Sequence, residues 1–383
     1  MRLTGIHNSE CLCIVGCGGY RRDKVGPVRM VERDSEKKGL RGRGATQNPA
    51  NRFERCHVAP DPEEEGTGES PVTTFLRDVS QSIVTSNSSP DVGFDRSLNP
   101  YRGCEHGCAY CYARPTHEYL GFSAGLDFET RIMVKEKAPE LLRAELSKPR
   151  WKPGVLVMSG VTDPYQPVER RLGITRGCLK VLAECRNPVA IVTKNHLVTR
   201  DCDLLAELST HQAAAVFVSL TTLDRSLARA MEPRTASPDH RLDAIRRLSA
   251  AGVPVGVMTA PIVPGLTDHE IPCLLEAAAQ AGANFAGYTV LRLPHAVAPL
   301  FAEWLECHVP AKKEWVLSRI RQIREGGLND ARFGSRMRGE GIYAQQIRDL
   351  FRIGRRRSGL ERSAPELSAA AFRRPRGRQM ELF

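Results

Sequence analysis

The sequence predicts an α/β protein organised on a parallel sheet, and three features predict it. From residue 71 onward, apolar β-rich runs alternate with amphipathic segments. The strand candidates are apolar throughout, as strands buried on both faces are, rather than alternating apolar with polar. The strand-plus-helix unit recurs at roughly thirty residues with short connections, a spacing shared by βα barrels and doubly wound sheets.

VLVMSG (155–160) is a buried strand, and TRGCLKVLAECR (175–186) the helix after it. VAIVTK (189–194) and CDLLAELS (202–209) form the next pair. AAVFVSLTT (214–222) is a strand, and DHRLDAIRRLSAAG (239–252) is a helix whose last glycine suits a left-handed C-terminal cap. VPVGVMTAPIV (253–263), HEIPCLLEAAAQAG (269–282) and NFAGYTVLRL (284–293) read as strand, helix and strand. About six such units are countable. Residues 310–351 read as helical, with KKEWVLSRIRQIREGG the clearest piece, and FGSRMRGEGIYAQQIRDLFRI joins a Gly-rich turn to an amphipathic helix.

Three regions follow. Residues 1–70 are rich in Gly, Pro, Arg and acids without a sustained period, so they are expected to be a disordered extension. Residues 71–309 form the core, and 310–383 a helical, Arg-rich end whose tail after 354 has too few apolar residues to pack. No apolar run approaches the ~18 residues of a membrane span. The N-terminus lacks the basic and apolar regions of a good signal peptide, so a cytoplasmic location is expected. A reducing compartment makes the twelve cysteines ligands or buried thiols rather than disulfides. Cys11, Cys13 and Cys17 have no fourth partner at metal-binding spacing and read as incidental.

The net charge of +11 is unevenly placed. Residues 21–43 carry nine Lys/Arg against four acids, and residues 352–378 carry nine Arg against two Glu, so the remainder is near neutral. Two basic ends on a neutral body suit a polyanionic partner such as DNA or RNA, with Arg355, Arg356 and Arg357 as phosphate contacts; the plainer reading is solubility.

The sharpest signal is NPYRGCEHGCAYCYARPTH (99–117), where Cys104, Cys108 and Cys111 fall within eight positions. Four thiols would close a structural zinc or a cluster completely. Three on a tight loop hold three irons of a cubane and leave the fourth for a small molecule. Gly103 and Gly107 let the backbone wrap such a group. His106 is a fourth candidate ligand, but inside so tight a loop it is expected to point outward. A zinc site is the competing reading.

This spacing, with Tyr110 just before the last cysteine, resembles the radical S-adenosylmethionine (radical SAM) superfamily. Within it the chain looks like the spore photoproduct lyase-like, DNA repair photolyase-like group. The likeness covers roughly residues 95–300 and is carried by SGVTDPYQPVERRLGITRGCLKVL, VTKN, VSLTT, MEPRTASPDHRLDAIRRLSAAG and APIVPGLTD. It implies a partial (β/α)6 TIM-like barrel with the cysteine loop after the first strand. It implies that Cys104, Cys108 and Cys111 hold a [4Fe–4S] cluster whose unique iron takes the amino and carboxylate groups of S-adenosyl-L-methionine. Tyr110 would contact the adenine, and Ser159 or Thr162, Lys194 and Ser219 would approach the cofactor. Lys194, at a strand's C-terminal end, would face the barrel mouth and suit a carboxylate; its plainer reading is a surface salt bridge, and that of Ser219 a satisfied core hydroxyl. Asp163 and Glu169 are second-rank candidates, and Asp163 alternatively caps the next turn.

The implied activity is reductive cleavage of S-adenosylmethionine to a 5′-deoxyadenosyl radical that abstracts hydrogen, fed by an external flavodoxin- or ferredoxin-like one-electron donor. A nucleic acid is the expected substrate and a lyase-like repair reaction the nearest analogy. A peptide or small metabolite is the alternative, and a metal-binding nucleic-acid protein without catalysis the second. One departure stands out. Spore photoproduct lyase returns hydrogen from a cysteine near the second strand's end, whereas MSGVTDPY has none. Cys178 and Cys185 share one helix face and read as core thiols. Cys202 and Cys273, at helix starts, also read as structural, leaving Tyr112 or Tyr165 as candidate donors.

Overall fold

The structure is a computed structural model that describes residues 39–55 and 71–375. Its strands are β1 (Thr74–Arg77), β2 (Val84–Ser86), β3 (Arg96–Leu98), β4 (Tyr101–Arg102), β5 (Arg131–Val134), β6 (Leu156–Met158), β7 (Val189–Thr193), β8 (Ala214–Ser219), β9 (Val255–Ile262) and β10 (Phe285–Val290). The larger sheet has the order β10-β9-β8-β7-β6-β3-β2. From β3 to β10 every neighbour is parallel, and β2 adds antiparallel at the far edge. Six parallel strands joined in sequence order make a partial (β/α)6 barrel, with all strand C-termini at one mouth. A second sheet, β1-β5-β4, stands beside the segment that follows β3.

Local chemistry explains the elements. β8 is AAVFVS with five of six residues buried, a strand with no wet face. Helix Pro238–Ala250 starts where the Ser237 hydroxyl accepts the His240 N–H and Pro238 occupies a first-turn position whose missing donor costs nothing. It ends at Gly252, whose φ of +75° turns the chain so that the N–H groups of Gly252 and Val253 return to Ser249 and Leu248. Helix Ile174–Cys185 buries Cys178, Leu179, Leu182 and Cys185 on the face toward the sheet. Each fully buried aliphatic side chain there contributes about 1.5–3 kcal/mol.

A second apolar cluster fills the mouth. It joins Cys108, Ala109 and Tyr110 to Leu227, Met231, Leu291, Phe301 and Trp304. Helix Val297–His308, which follows the last strand and stands outside the βα repeat, supplies Phe301 and Trp304. No helix among the described residues is long and apolar enough to cross a membrane.

Two stretches differ from expectation. Residues 39–55, expected to lack structure, lie against the cysteine loop, because the N–H groups of Gly44 and Ala45 find the buried Glu129 carboxylate at 3.1 and 2.9 Å. The tail after 354, expected not to pack, follows helix Gly341–Arg357 along the body. Leu360 is buried, Arg362 bridges to Phe285, and Arg374 donates to the carbonyls of Leu146 and Lys148. Backbone-directed arginine bonds replace the apolar contacts its composition lacks. Cys11, Cys13, Cys17 and nearly all of the basic stretch 21–43 lie outside the described residues.

Candidate functional site: the cysteine loop and the barrel mouth

Residues 103–112 leave β4 and cross the mouth, held by their own backbone. The Cys104 N–H donates to Phe128 O, the Ala109 N–H to Met231 O, and His106 O accepts from the Arg234 N–H, at 2.9, 2.9 and 3.2 Å. Gly107 has φ +66°, and a Cβ there would stand 2.7 Å from Glu129 Oε2, so any other residue would be strained and would displace that carboxylate. Arg114, fully buried, donates from Nε and Nη2 to Cys108 O and from Nη2 to Glu129 at 2.5 Å. A buried guanidinium thus clamps the loop's carbonyl to the carboxylate that also receives Gly44 and Ala45.

Cys104 and Cys108 are buried and Cys111 is half-buried; none is in a disulfide. Cys111 packs against the apolar group containing Cys104 and against that containing Cys108, so it joins the two. Burial, and then the neighbouring Cys104, push the Cys111 thiol up to about 11, while burial and Glu232 push Cys108 up. Three thiols this close resist ionising together unless a cation shares the site.

Behind the loop, Tyr110 and Lys194 join a charged network whose Glu232 and Arg241 the sequence did not single out. Glu232 is buried among the Tyr110 hydroxyl, the Thr221 hydroxyl at 2.6 Å, the Arg241 guanidinium and the Lys194 ammonium at 3.5 Å. Burial raises its carboxyl above the usual range against the pull of Arg241. Lys194 Nζ also donates to Ala260 O at 2.9 Å and stands 5.8 Å from the centre of the Tyr110 ring; burial lowers it to about 8. MEPR (231–234) was the available signal, since it supplies both the carboxylate and two loop anchors.

A sequence profile of the radical SAM superfamily matches residues 98–278. An uncharacterised protein of Mycobacterium tuberculosis (strain ATCC 25618 / H37Rv) is 39% identical over 236 residues, covering 61% of this chain and 68% of that one. The chain belongs to the radical SAM superfamily. A relative in Pseudomonas phage M6, named a radical SAM Nα-GlyT isomerase, is 28% identical over 209 residues, 54% of this chain and 41% of its own. Spore photoproduct lyase complexed with dinucleoside spore photoproduct shares the fold, with a TM-score of 0.53 at 16% identity, over 74% of this chain and 79% of that one.

Radical SAM proteins use a [4Fe–4S] cluster and S-adenosylmethionine. The donor set here fits such a cluster on its own terms: three thiols outside any disulfide on one tightly anchored loop, with the cationic groups of Lys194 and Arg241 behind it. Among the described residues no three His, Cys, Asp or Glu side chains stand close enough for one ion. Sulfurs that bind separate irons of a cubane stand farther apart than sulfurs sharing one ion.

The radical SAM contacts expected from the sequence divide into two groups. Tyr110 and Ser219 are buried at the mouth with half-buried Lys194 beside them, and Ser219 O accepts from Arg241 Nη1 at 3.1 Å. Thr162, Asp163 and Glu169 are committed to protein. Thr162 Oγ1 donates to Gly103 O at 2.6 Å and accepts from Gln166, which ties β6 to the loop. Asp163 accepts from the Lys194 and Tyr165 N–H groups and the Thr193 hydroxyl at 2.7–2.8 Å. Glu169 accepts from Tyr101, Thr175, Arg176 and Arg200, a buried brace rather than a ligand contact. Ser159 Oγ reaches only Thr162 O, at 3.5 Å.

His106 corrects the sequence reading. It is 1% exposed and turned inward, because Asp163 and Asn195 give its ring polar partners. Of the two candidate donors, Tyr165 is fully buried and bonded to Asp201, so it cannot meet a substrate. Tyr112 is half exposed beside Cys111, donates to Gly160 O at 2.8 Å, and carries the Arg292 guanidinium 5.2 Å from its ring centre.

Proposed function

We propose that this chain is a radical SAM enzyme in which Cys104, Cys108 and Cys111 hold the [4Fe–4S] cluster, and that it acts on a nucleic acid. The observation that carries the reading is the meeting of three such thiols with the Lys194–Glu232–Arg241 network at the strand C-termini. When bound, the cofactors supply reductive cleavage of S-adenosylmethionine and hydrogen abstraction. The protein's part is to bind, orient and exclude water. Tyr110 presents its ring to an adenine while Glu232 fixes its hydroxyl. Lys194 keeps one donor for a carboxylate after Ala260 O and Glu232 take the others, and Ser219 lies beside them. The apolar wall of Leu227, Met231, Leu291 and Phe301 keeps water out.

Two surfaces support an anionic substrate. Arg292, at the end of β10, stacks on exposed Tyr112 at the mouth, with the Met337 sulfur its hydrogen-bond acceptor at 3.5 Å. Arg352, Arg356 and Arg357 line a shallow hollow on helix Gly341–Arg357. The cytoplasm, which keeps thiols reduced and supplies flavodoxin- or ferredoxin-like donors, is the fitting compartment.

Anaerobic reconstitution with iron and sulfide tests the assignment. The wild-type chain should turn brown and release 5′-deoxyadenosine on addition of dithionite and S-adenosylmethionine, and Cys108→Ala should do neither. Lys194→Ala should keep its iron and weaken S-adenosylmethionine binding about tenfold, the loss of one charge-assisted hydrogen bond. Turnover against thymine-dimer DNA, plain DNA and RNA, tracking deuterium into 5′-deoxyadenosine, decides the substrate; no transfer from any of the three points to a peptide or metabolite. Replacing Arg352, Arg356 and Arg357 by Gln should lower the salt slope of oligonucleotide binding by about 2–3.

A further inference from the structure

Just after Cys111 the chain enters the turn Arg114–Leu120, and the segment 39–55 lies along it. Asn51 joins the two. Its Nδ2 donates to the Glu118 and Phe122 carbonyls at 2.8 and 2.9 Å, and its Oδ1 accepts the Phe53 N–H at 2.8 Å. Phe53 is thereby stacked on Tyr119, with ring centres 4.8 Å apart. Both rings stay at the surface, 52% and 73% exposed. The Arg52 guanidinium lies 5.0 Å from the Phe53 ring centre and pairs with buried Glu118 at 2.7 Å. Two large rings packed together in water form a contiguous apolar patch, which marks a contact site where single exposed side chains do not.

The surroundings of the pair are cationic. Exposed Arg41, Arg52, Arg55 and Arg131 outnumber Glu54 and the half-buried Asp127, which pairs with Arg131. Arg43 is turned inward, to the carbonyls of Glu129 and Pro71. Aromatic rings set among arginines have the composition of an interface centre, and the sign of the charge suits an acidic partner.

The layer beneath the patch points to the kind of partner. Cys104 packs in one apolar group with Phe128. The Phe128 ring meets His117 edge-on at 5.6 Å, and His117 meets Phe122 at 5.2 Å. Phe122 is half-buried under the Arg131 guanidinium, which stands 5.2 Å from its ring centre. Three rings in succession thus span from a thiol of the cysteine loop to this outer face. A substrate needs the strand C-termini, where Tyr112 and Arg292 stand. An electron carrier needs only to come close to the loop from outside.

We propose that the Phe53–Tyr119 face, with Arg52, Arg55 and Arg131 around it, is the docking site for an acidic one-electron carrier protein. The inference rests on the reading that Cys104, Cys108 and Cys111 hold the cluster. One electron leaves the reduced carrier and enters the oxidised cluster, and no atom or proton changes hands. A patch this small is in keeping with redox encounters, whose partners must separate after each transfer.

The test uses the full chain, reconstituted anaerobically, with three reductants: dithionite, a reduced flavodoxin and a reduced [2Fe–2S] ferredoxin. Dithionite is small and needs no docking site. The double variant Arg55→Glu, Tyr119→Ser should keep wild-type iron content and dithionite-driven release of 5′-deoxyadenosine. The rate at which the better carrier bleaches the cluster should fall about tenfold or more. Binding of the oxidised carrier, read by calorimetry, should weaken to a similar degree and depend less on salt. Tyr119→Phe should behave as wild type. Should the double variant not load, Arg55→Glu alone decides, with an effect that shrinks as salt rises. Unchanged carrier-driven rates would overturn the proposal, and loss of oligonucleotide binding in their place would assign the face to nucleic acid. A wild-type chain that dithionite reduces and neither carrier does would overturn it too. A wild-type chain that takes up no cluster overturns the ligand assignment instead.

Discussion

At the scale of single residues, the site is a set of buried charges that depend on one another. Glu232 faces Arg241, 1% exposed, and half-buried Lys194, so its removal strands a buried guanidinium and leaves the ammonium only Ala260 O. Glu232→Ala should cost about 3–5 kcal/mol in urea denaturation. Tyr110→Phe, which removes one hydroxyl from the same carboxylate, should cost about 1–3 kcal/mol. The cysteines were legible because their meaning lies in local spacing. Glu232 and Arg241 were not, because residues 110, 194, 221, 232 and 241 meet only once the barrel has wound. His117 gives a separate pH signature. It is fully buried, donates from Nε2 to Arg131 O at 3.0 Å, and has no partner at Nδ1. Burial lowers it to about 4. Between that value and the ordinary 6.5, the unfolded chain binds a proton that the folded chain refuses, so this contribution is complete above 6.5 and is lost as pH falls toward 4. Across that window the stability of wild type should fall faster than that of His117→Gln, by up to about 1.4 kcal/mol per pH unit. Parallel stability curves for the two proteins would show that His117 is not held neutral.

At the scale of elements, the barrel's strands from β6 onward and the helices expected between them were readable to within about three residues, since each carries its own period and stop signal, whereas β3, only three residues long, was not. The supports of the cysteine loop were not. Gly44 has no periodic context, yet a Cβ at that position would stand 1.7 Å from Gly107 O and 3.0 Å from the Ala109 N. The contact is backbone against backbone, so neither side has a rotamer with which to yield. Gly44→Ala should therefore cost on the order of 2 kcal/mol. It should also lower the iron taken up on reconstitution while leaving the far-ultraviolet dichroism of the barrel unchanged. Full iron content in that variant would mean that the segment 39–55 merely rests on the loop. Over 310–351 the two expected helices form on either side of the Gly-rich turn, which is longer than the sequence suggested. Gly326, Gly334 and Gly339 all adopt positive φ and set a looped segment between helix Lys313–Gln322 and helix Gly341–Arg357.

At the scale of the molecule, that looped segment joins the two edges of an open barrel. The Val290 N–H at the end of β10 donates to Met337 O at 3.0 Å, and buried Arg324 holds the carbonyls of Val290 and Leu291. Three residues before Met337, the Gly334 N–H donates to Asp91 Oδ1 at 2.7 Å, and Arg336 Nε meets Asp91 Oδ2 at 2.5 Å. Asp91 belongs to the turn between β2 and β3, at the opposite edge of the seven-stranded sheet. With Arg336 also donating to the Ser89 hydroxyl, this turn closes a circuit that the strand ladder leaves open. Composition gave no notice of it, because a Gly- and Arg-rich stretch reads equally as linker. Asp91→Ala removes the acceptor for both Gly334 and Arg336. Amide exchange should then quicken by roughly tenfold or more in residues 87–95 and 330–338, while β7 and β8 keep their protection, since their bonds lie inside the ladder. If the two segments instead exchange as in wild type, Asp91 is not what joins the edges, and the Arg336–Ser89 bond with Arg324 and Met337 holds the segment.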